Sequence, residues 1–280
     1  MAADAAPPPT AMPGALPPLP GHGPARAVNK EKMDRMVGAL QLDVSSEGAA
    51  AGAEARPQLP RAFEEGPRSA HLLGPPEVSA DEVLPLLLVF HGNGKTKDSV
   101  AWMCKEFSAL AEKNRCFVLV SAAALHTWDL YIDEHPSKDL RFVESALRRV
   151  LRDYRVDGAR IACMGFSDGA SLSLSLACCN PCLLQAAMVW AAGYCLRRKA
   201  SATEGMPKPR LLIGHGGRDE CFDVERVVVP MKERLEKAGY TVDFWLEPEA
   251  AHGARENFAQ DVISFWLALP PRPDIEARGD

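Results

Sequence analysis

Residues 159–170 read ARIACMGFSDGA, and this stretch decides the fold. Its first eight residues, Ala159 to Phe166, apolar but for Arg160, read as a strand. Residues 168–179 turn helical. Between them Gly165-Phe166-Ser167-Asp168-Gly169 has the form G-x-S-x-G. The five residues alone are a weak signal; their position between a strand and a helix gives them weight. A sharp, strained turn there lifts a serine hydroxyl above the end of a sheet. Gly165, Gly169 and Ala170 carry too little bulk to keep strand and helix apart.

On the N-terminal side, Leu84–Phe90 (LPLLLVF) and Cys116–Ser121 (CFVLVS) read as strands buried on both faces. Helical spacing marks residues 97–114 and 139–154. On the C-terminal side, Ala186–Ala192, Arg210–Gly214 and Thr241–Leu246 are further strands. Residues 224–238 and 255–269 are helices, the last ended by Pro270, Pro271 and Pro273. Strand and helix alternate throughout, which implies an α/β domain with a mostly parallel central sheet and helices on both faces.

Residues 81–270 are expected to form that domain, with 271–280 a short tail. Residues 1–80 are expected to be a tail, mostly disordered. They hold 13 of the 23 prolines, and Met1 to Ala27 is largely Ala, Pro and Gly, with few apolar groups to offset the entropy of ordering. Asn29 to Leu42 is the one stretch there with a helical apolar face, formed by Met33, Met36, Val37 and Leu40. A net charge of −5 excludes a generally basic nucleic-acid binder. No apolar stretch has the ~18 residues a membrane span needs. No secretory signal is visible, so a cytoplasmic location is expected, with organelle targeting by the N-terminal tail as the alternative.

A serine hydroxyl is a poor nucleophile without a base, and the base needs an orienting acid. On this fold they follow the serine in the order acid, then histidine, at the ends of later strands. Asp219 stands in HGGRD just past the strand at 210–214, and His252 stands in AAHG just past the strand at 241–246. Asp223 is the second candidate for the acid. The developing oxyanion needs two backbone N–H groups. One belongs to Asp168, the residue after the serine. The other belongs to His91-Gly92-Asn93-Gly94, with Asn93 favoured over Gly92. Gly94-Lys95-Thr96 ends like a phosphate loop, but Val89 stands where that motif needs its first glycine. Trp128 and Asp129 either line the substrate pocket with Gly92 or, for Trp128, pack in the core. Eight cysteines are too few for a disulfide scaffold, and Cys179-Asn180-Pro181-Cys182 has no second C-x-x-C to complete a metal site. Neither a metal nor a cofactor is expected.

The blocks HGNG, GFSDGA, HGGRD and AAHG, in this order, resemble the α/β-hydrolase superfamily. Within it they are most similar to small esterases of the phospholipase/carboxylesterase and polyhydroxybutyrate-depolymerase-like groups. The resemblance spans residues 83–268, including Thr127-Trp128-Asp129. It implies a serine ester hydrolase acting on a small-molecule ester, with Ser167, Asp219 and His252 as its triad. Lys95 and the pair Ala250-Ala251 before His252 depart from the glycines common in those groups. Short connections imply no large lid. A peptidase, an acyltransferase and a non-catalytic binding protein are the alternatives on the same fold.

Overall fold

The computed structural model describes residues 40–42, 57–94, 96–132, 137–197, 203–253 and 255–273. Eight strands form one sheet in the order β1-β2-β4-β3-β5-β6-β7-β8. They are β1 (Arg61–Glu65), β2 (Arg68–Leu73), β3 (Leu84–Phe90), β4 (Phe117–Ala122), β5 (Val156–Phe166), β6 (Ala186–Trp190), β7 (Arg210–Gly216) and β8 (Val242–Glu247). β1 and β2 run antiparallel to their neighbours; every other pairing is parallel.

The helices are α1 (Thr96–Lys113), α2 (Asp129–Ile132), α3 (Lys138–Asp153), α4 (Asp168–Cys179), α5 (Val229–Lys237) and α6 (Phe258–Ala268). A π-helical turn, Val224–Val228, leads into α5. Strand side chains alternate between faces, so the sheet carries a core on each side. On one face Leu86, Leu88, Ile161, Cys163, Val189 and Ile213 pack with α3, α4 and α5. On the other Leu87, Val89, Ala162, Met164, Met188 and Leu212 pack with α1 and α6. The apolar runs read from the sequence are continuous because both faces are covered. Among the described residues no helix is long and apolar enough to cross a membrane.

The sheet starts twenty residues earlier than expected. β1 and β2 form a hairpin whose second strand pairs with β4, so the boundary placed at residue 81 falls inside the sheet. Upstream of the hairpin Leu40 is buried against this core, and the Asn180 side chain accepts from Leu42 N (2.8 Å) and donates to Leu40 O (2.7 Å). The helix expected at Asn29–Leu42 otherwise lies outside the described residues. Beyond α6, Arg272 N donates to Ala159 O at 2.9 Å, so part of the expected C-terminal tail is fastened to the edge of β5.

Chain order sets the position of the site. From β3 the chain moves to β4 on one side, then crosses to β5 on the other side of β3. Loops leaving adjacent strands on opposite sides of such a switch open a crevice at their carboxyl ends. Here the flanking loops are His91–Gly94 and the turn at Ser167.

Candidate active site

Ser167 joins β5 to α4 with φ 55° and ψ −117°, a strained conformation for a residue with a side chain. The glycines around it explain how the turn closes. A Cβ on Gly165 would lie 2.2 Å from Gly169 O, and one on Gly169 would lie 2.2 Å from Phe90 O. Only residues without side chains let β5, α4 and β3 meet this closely.

Two later loops bring their side chains to Ser167. His252 Nε2 lies 3.0 Å from Ser167 Oγ, and His252 Nδ1 lies 2.8 Å from Asp219 Oδ2. A carboxylate only accepts, so His252 carries its proton on Nδ1 and offers Nε2 as the acceptor for the serine hydroxyl. Phe166 and Phe222 flank the imidazole, their ring centroids 5.3 and 5.7 Å from it.

Asp219 is held from every side. Oδ1 accepts the N–H groups of Cys221 and Phe222, both at 2.8 Å. Oδ2 faces His252 and also His215 Nε2, at 3.2 Å. Burial pulls the Asp219 pKa up, but the hydrogen bonds from His252 and Phe222 N–H and the nearby imidazoles outweigh it, so the carboxyl sits below its usual range. His215 Nε2 also lies 2.8 Å from Phe222 O, so that nitrogen bears the proton. Its Nδ1 is buried and finds no hydrogen-bond partner among the described residues. Burial lowers the His215 pKa, against the raising effects of the Phe222 carbonyl and Asp219. Asp223, the other candidate acid, instead caps the π-helical turn by accepting from Arg226 N at 2.8 Å.

The loop after β3 lies against the serine. A Cβ on Gly92 would be 3.0 Å from both Ser167 Cβ and Phe166 O. His91 fixes this loop from beneath. Ala123 N donates to His91 Nε2 at 3.0 Å, which leaves Nδ1–H to donate to Gly92 O at 2.6 Å. The peptide joining Gly92 and Asn93 is planar, so anchoring its carbonyl fixes the direction of the Asn93 N–H. Burial lowers the His91 pKa, which keeps the ring in the neutral form this pattern needs.

Two of the residues expected at the pocket do other work. Trp128 is fully buried, stacks on His91 at 4.9 Å and donates from Nε1 to His91 O at 3.0 Å. It supports the loop from the core and has no surface to offer a substrate. The Asp129 carboxylate caps α3, accepting from Ser137 Oγ (2.5 Å), Lys138 N (2.8 Å) and Asp139 N (3.1 Å). Asp168 does stand beside the serine, with its carboxylate accepting from Thr127 Oγ1 at 2.5 Å. Sequence reasoning missed the bond from His215 to Asp219, although the four-residue spacing in HGGRD was visible, and it missed Phe222 entirely.

Among the described residues one group of side chains has the composition of a metal site. The ligating atoms of Asp219, Cys221 and His252 lie within 4.8 Å of one another. Asp219 and His252 are already engaged with each other and with Ser167, so a cation there would compete with that chain of hydrogen bonds.

Comparison with known proteins agrees with the architecture. The chain aligns with a thermostable esterase over 75% of its own length and 62% of that chain, with 21% identity and a TM-score of 0.55. It aligns with an S-formylglutathione hydrolase from Agrobacterium tumefaciens over 74% of its length and 92% of that chain, with 13% identity and a TM-score of 0.55. The chain has the α/β-hydrolase fold. The same fold is shared with Porphyromonas gingivalis dipeptidyl peptidase 4, of which the chain covers 36% (15% identity, TM-score 0.53). Within α/β-hydrolases, residues 135–269 match the family model for Phospholipase/Carboxylesterase, a span that includes Ser167, Asp219 and His252. The chain thus spans about three-fifths of the thermostable esterase's length. No curated protein matches the sequence.

Proposed function

We propose that this protein is a serine hydrolase that cleaves carboxylic esters, thioesters included, through an acyl-enzyme on Ser167. One observation carries the reading. Ser167 Oγ, His252 and Asp219 form an unbroken chain of hydrogen bonds of 3.0 and 2.8 Å, with the imidazole in the tautomer that can accept the serine proton.

Ser167 Oγ attacks the ester carbonyl while His252 Nε2 takes its proton. Asp219 holds the imidazole and stabilises the positive charge that develops on it. The N–H groups of Asp168 and Asn93 receive the oxyanion, and Gly92 lets the loop that carries Asn93 lie against the serine. His252 then protonates the departing alcohol or thiol. Water enters, gives its proton to the same nitrogen and releases the acid. The match to the Phospholipase/Carboxylesterase model over residues 135–269 favours an ester over an amide. The dipeptidyl peptidase among the proteins of like fold keeps amide cleavage as the competing reading.

The test is turnover of short p-nitrophenyl esters, acyl thioesters and dipeptide anilides by the wild type and by Ser167→Ala. The expected result is ester hydrolysis that falls about 10⁶-fold in the variant. Wild-type turnover in Ser167→Ala rejects the mechanism. Faster cleavage of anilides than of esters makes the protein a peptidase.

A further inference from the structure

We infer that Cys178 and Cys195 form an oxidisable dithiol, a modification site that a hydroperoxide converts to a disulfide fastening the segment after β6 to helix α4. The geometry of α4 carries the argument. Ser171, Ser175 and Cys178 are four and three residues apart and so share one face of the helix. Each serine hydroxyl donates back to the carbonyl four residues earlier, to Ser167 O and Ser171 O. Each thereby turns a lone pair outward. Gly193 N donates to Ser171 Oγ at 3.0 Å, and Leu196 N donates to Ser175 Oγ at 2.9 Å. Residues 193–196 therefore lie along α4 as a strap.

The sulfurs continue this row. Cys195 Sγ lies 3.6 Å from Cys178 Sγ, with Cys195 as the donor. A disulfide needs about 2.0 Å, so side-chain rotation must close a gap of about 1.6 Å. The two hydrogen bonds to the serines already hold the backbones together. The hydrogen bond from Cys195 draws the Cys178 pKa down against burial, and Tyr240, Arg197 and Lys208 act in the same direction. The same bond, with burial, raises Cys195. Cys178 is fully buried and Cys195 is half-buried, so the approach to the pair is from the side of the strap. In the C-x-x-C motif Cys179 is buried at the end of α4 and Cys182 is exposed.

The chemistry balances with one molecule of hydrogen peroxide. The sulfur that meets the peroxide attacks one of its oxygens, the O–O bond breaks, and the hydroxide released leaves as water with the thiol proton. The second sulfur then attacks the sulfenic sulfur, forming the S–S bond, and the expelled hydroxide takes the second thiol proton. The two cysteines lose two electrons and two protons, and the peroxide becomes two waters. The strap also bears on the candidate active site. A Cβ on Gly193 would lie 2.4 Å from the Phe222 ring, which meets the His252 imidazole in a T-shaped contact. Fastening the strap fixes that wall.

The experiment uses the full chain, reduced and then treated with hydrogen peroxide. Remaining thiols are alkylated and the protein is digested without reductant. No Lys or Arg lies between Ile161 and Leu196, so chymotrypsin, which cuts after Trp190 and Tyr194, replaces trypsin. The expected product is a cross-linked peptide joining Cys178 to Cys195, lighter by two hydrogens and separated by dithiothreitol. It is lost in Cys195→Ser and kept in Cys179→Ser and Cys182→Ser. Three results overturn the inference: both cysteines recovered alkylated, a Cys179–Cys182 link in place of this one, or either of the two oxidised to sulfinic acid without a cross-link. The wild-type map decides the question even if a variant fails to fold.

Discussion

Replacing Asp219 by Asn tests the role of the acid with almost no change of shape. The carboxylate accepts from two backbone N–H groups at Oδ1 and faces two imidazoles at Oδ2. An amide has one accepting oxygen, and the N–H groups of Cys221 and Phe222 cannot be reversed. The oxygen of Asn must therefore take the Oδ1 position, which turns its NH₂ toward His252 Nδ1. The imidazole can answer only by accepting there and moving its proton to Nε2. That proton then faces Ser167 Oγ, and the base is lost. A wrong tautomer of this kind costs about 10⁴ in kcat, which is about 5 kcal/mol of barrier. The assay is kcat on p-nitrophenyl acetate, with circular dichroism to confirm the fold. Asp223→Asn is the control: that side chain caps a turn, and turnover should change less than about twofold, since a lost cap costs only ~1 kcal/mol of stability. A fall of less than about tenfold in Asp219→Asn, at intact fold, refutes the reasoning.

Trp128→Ala should destabilise the protein by about 3–5 kcal/mol in urea unfolding, because it empties a fully buried site beneath His91; unchanged stability with altered acyl preference would return Trp128 to the pocket. Stability should also fall with mild acid. Burial holds the pKa values of His91 and His215 below the ordinary value, so below about pH 6.5 the unfolded chain takes up protons that the folded chain refuses. The urea midpoint should therefore drop between pH 7.5 and pH 5.5, before the depressed carboxyl of Asp219 adds its own loss below about pH 4. An unchanged midpoint across that range would contradict the neutral, buried imidazoles.

The parts of the molecule encoded locally were legible in the sequence. The strand, turn and helix at 156–179 lie within one short stretch, and the two periods that mark them do not depend on distant residues. That Asp219 and His252 would come near Ser167 was legible because each follows a strand, where a parallel sheet collects its loops. The hairpin of β1 and β2 was not legible. RAFEE and RSAHLL are short and mix polar residues with apolar ones, so neither shows the apolar run of a central strand. What anchors them is distant: Arg68 Nε donates to Asp139 Oδ1 at 2.7 Å, and Asp139 Oδ2 accepts from Asp129 N at 2.8 Å. No spacing within the sequence announces such contacts. Trp128 and Asp129 illustrate the same limit. A tryptophan in a loop beside a candidate site serves equally well as a wall or as a prop, and only the packing under His91 separates the two.

Covalent labelling of Ser167 tests the central claim most directly. A fluorophosphonate mimics the acyl carbonyl and is trapped only by a serine whose proton a neighbouring base can take. The wild type should carry one adduct, mapped by mass spectrometry to Ser167, and folded Ser167→Ala should carry none. Folded wild type that stays unlabelled, or an adduct on any other residue, would contradict an activated nucleophile at Ser167.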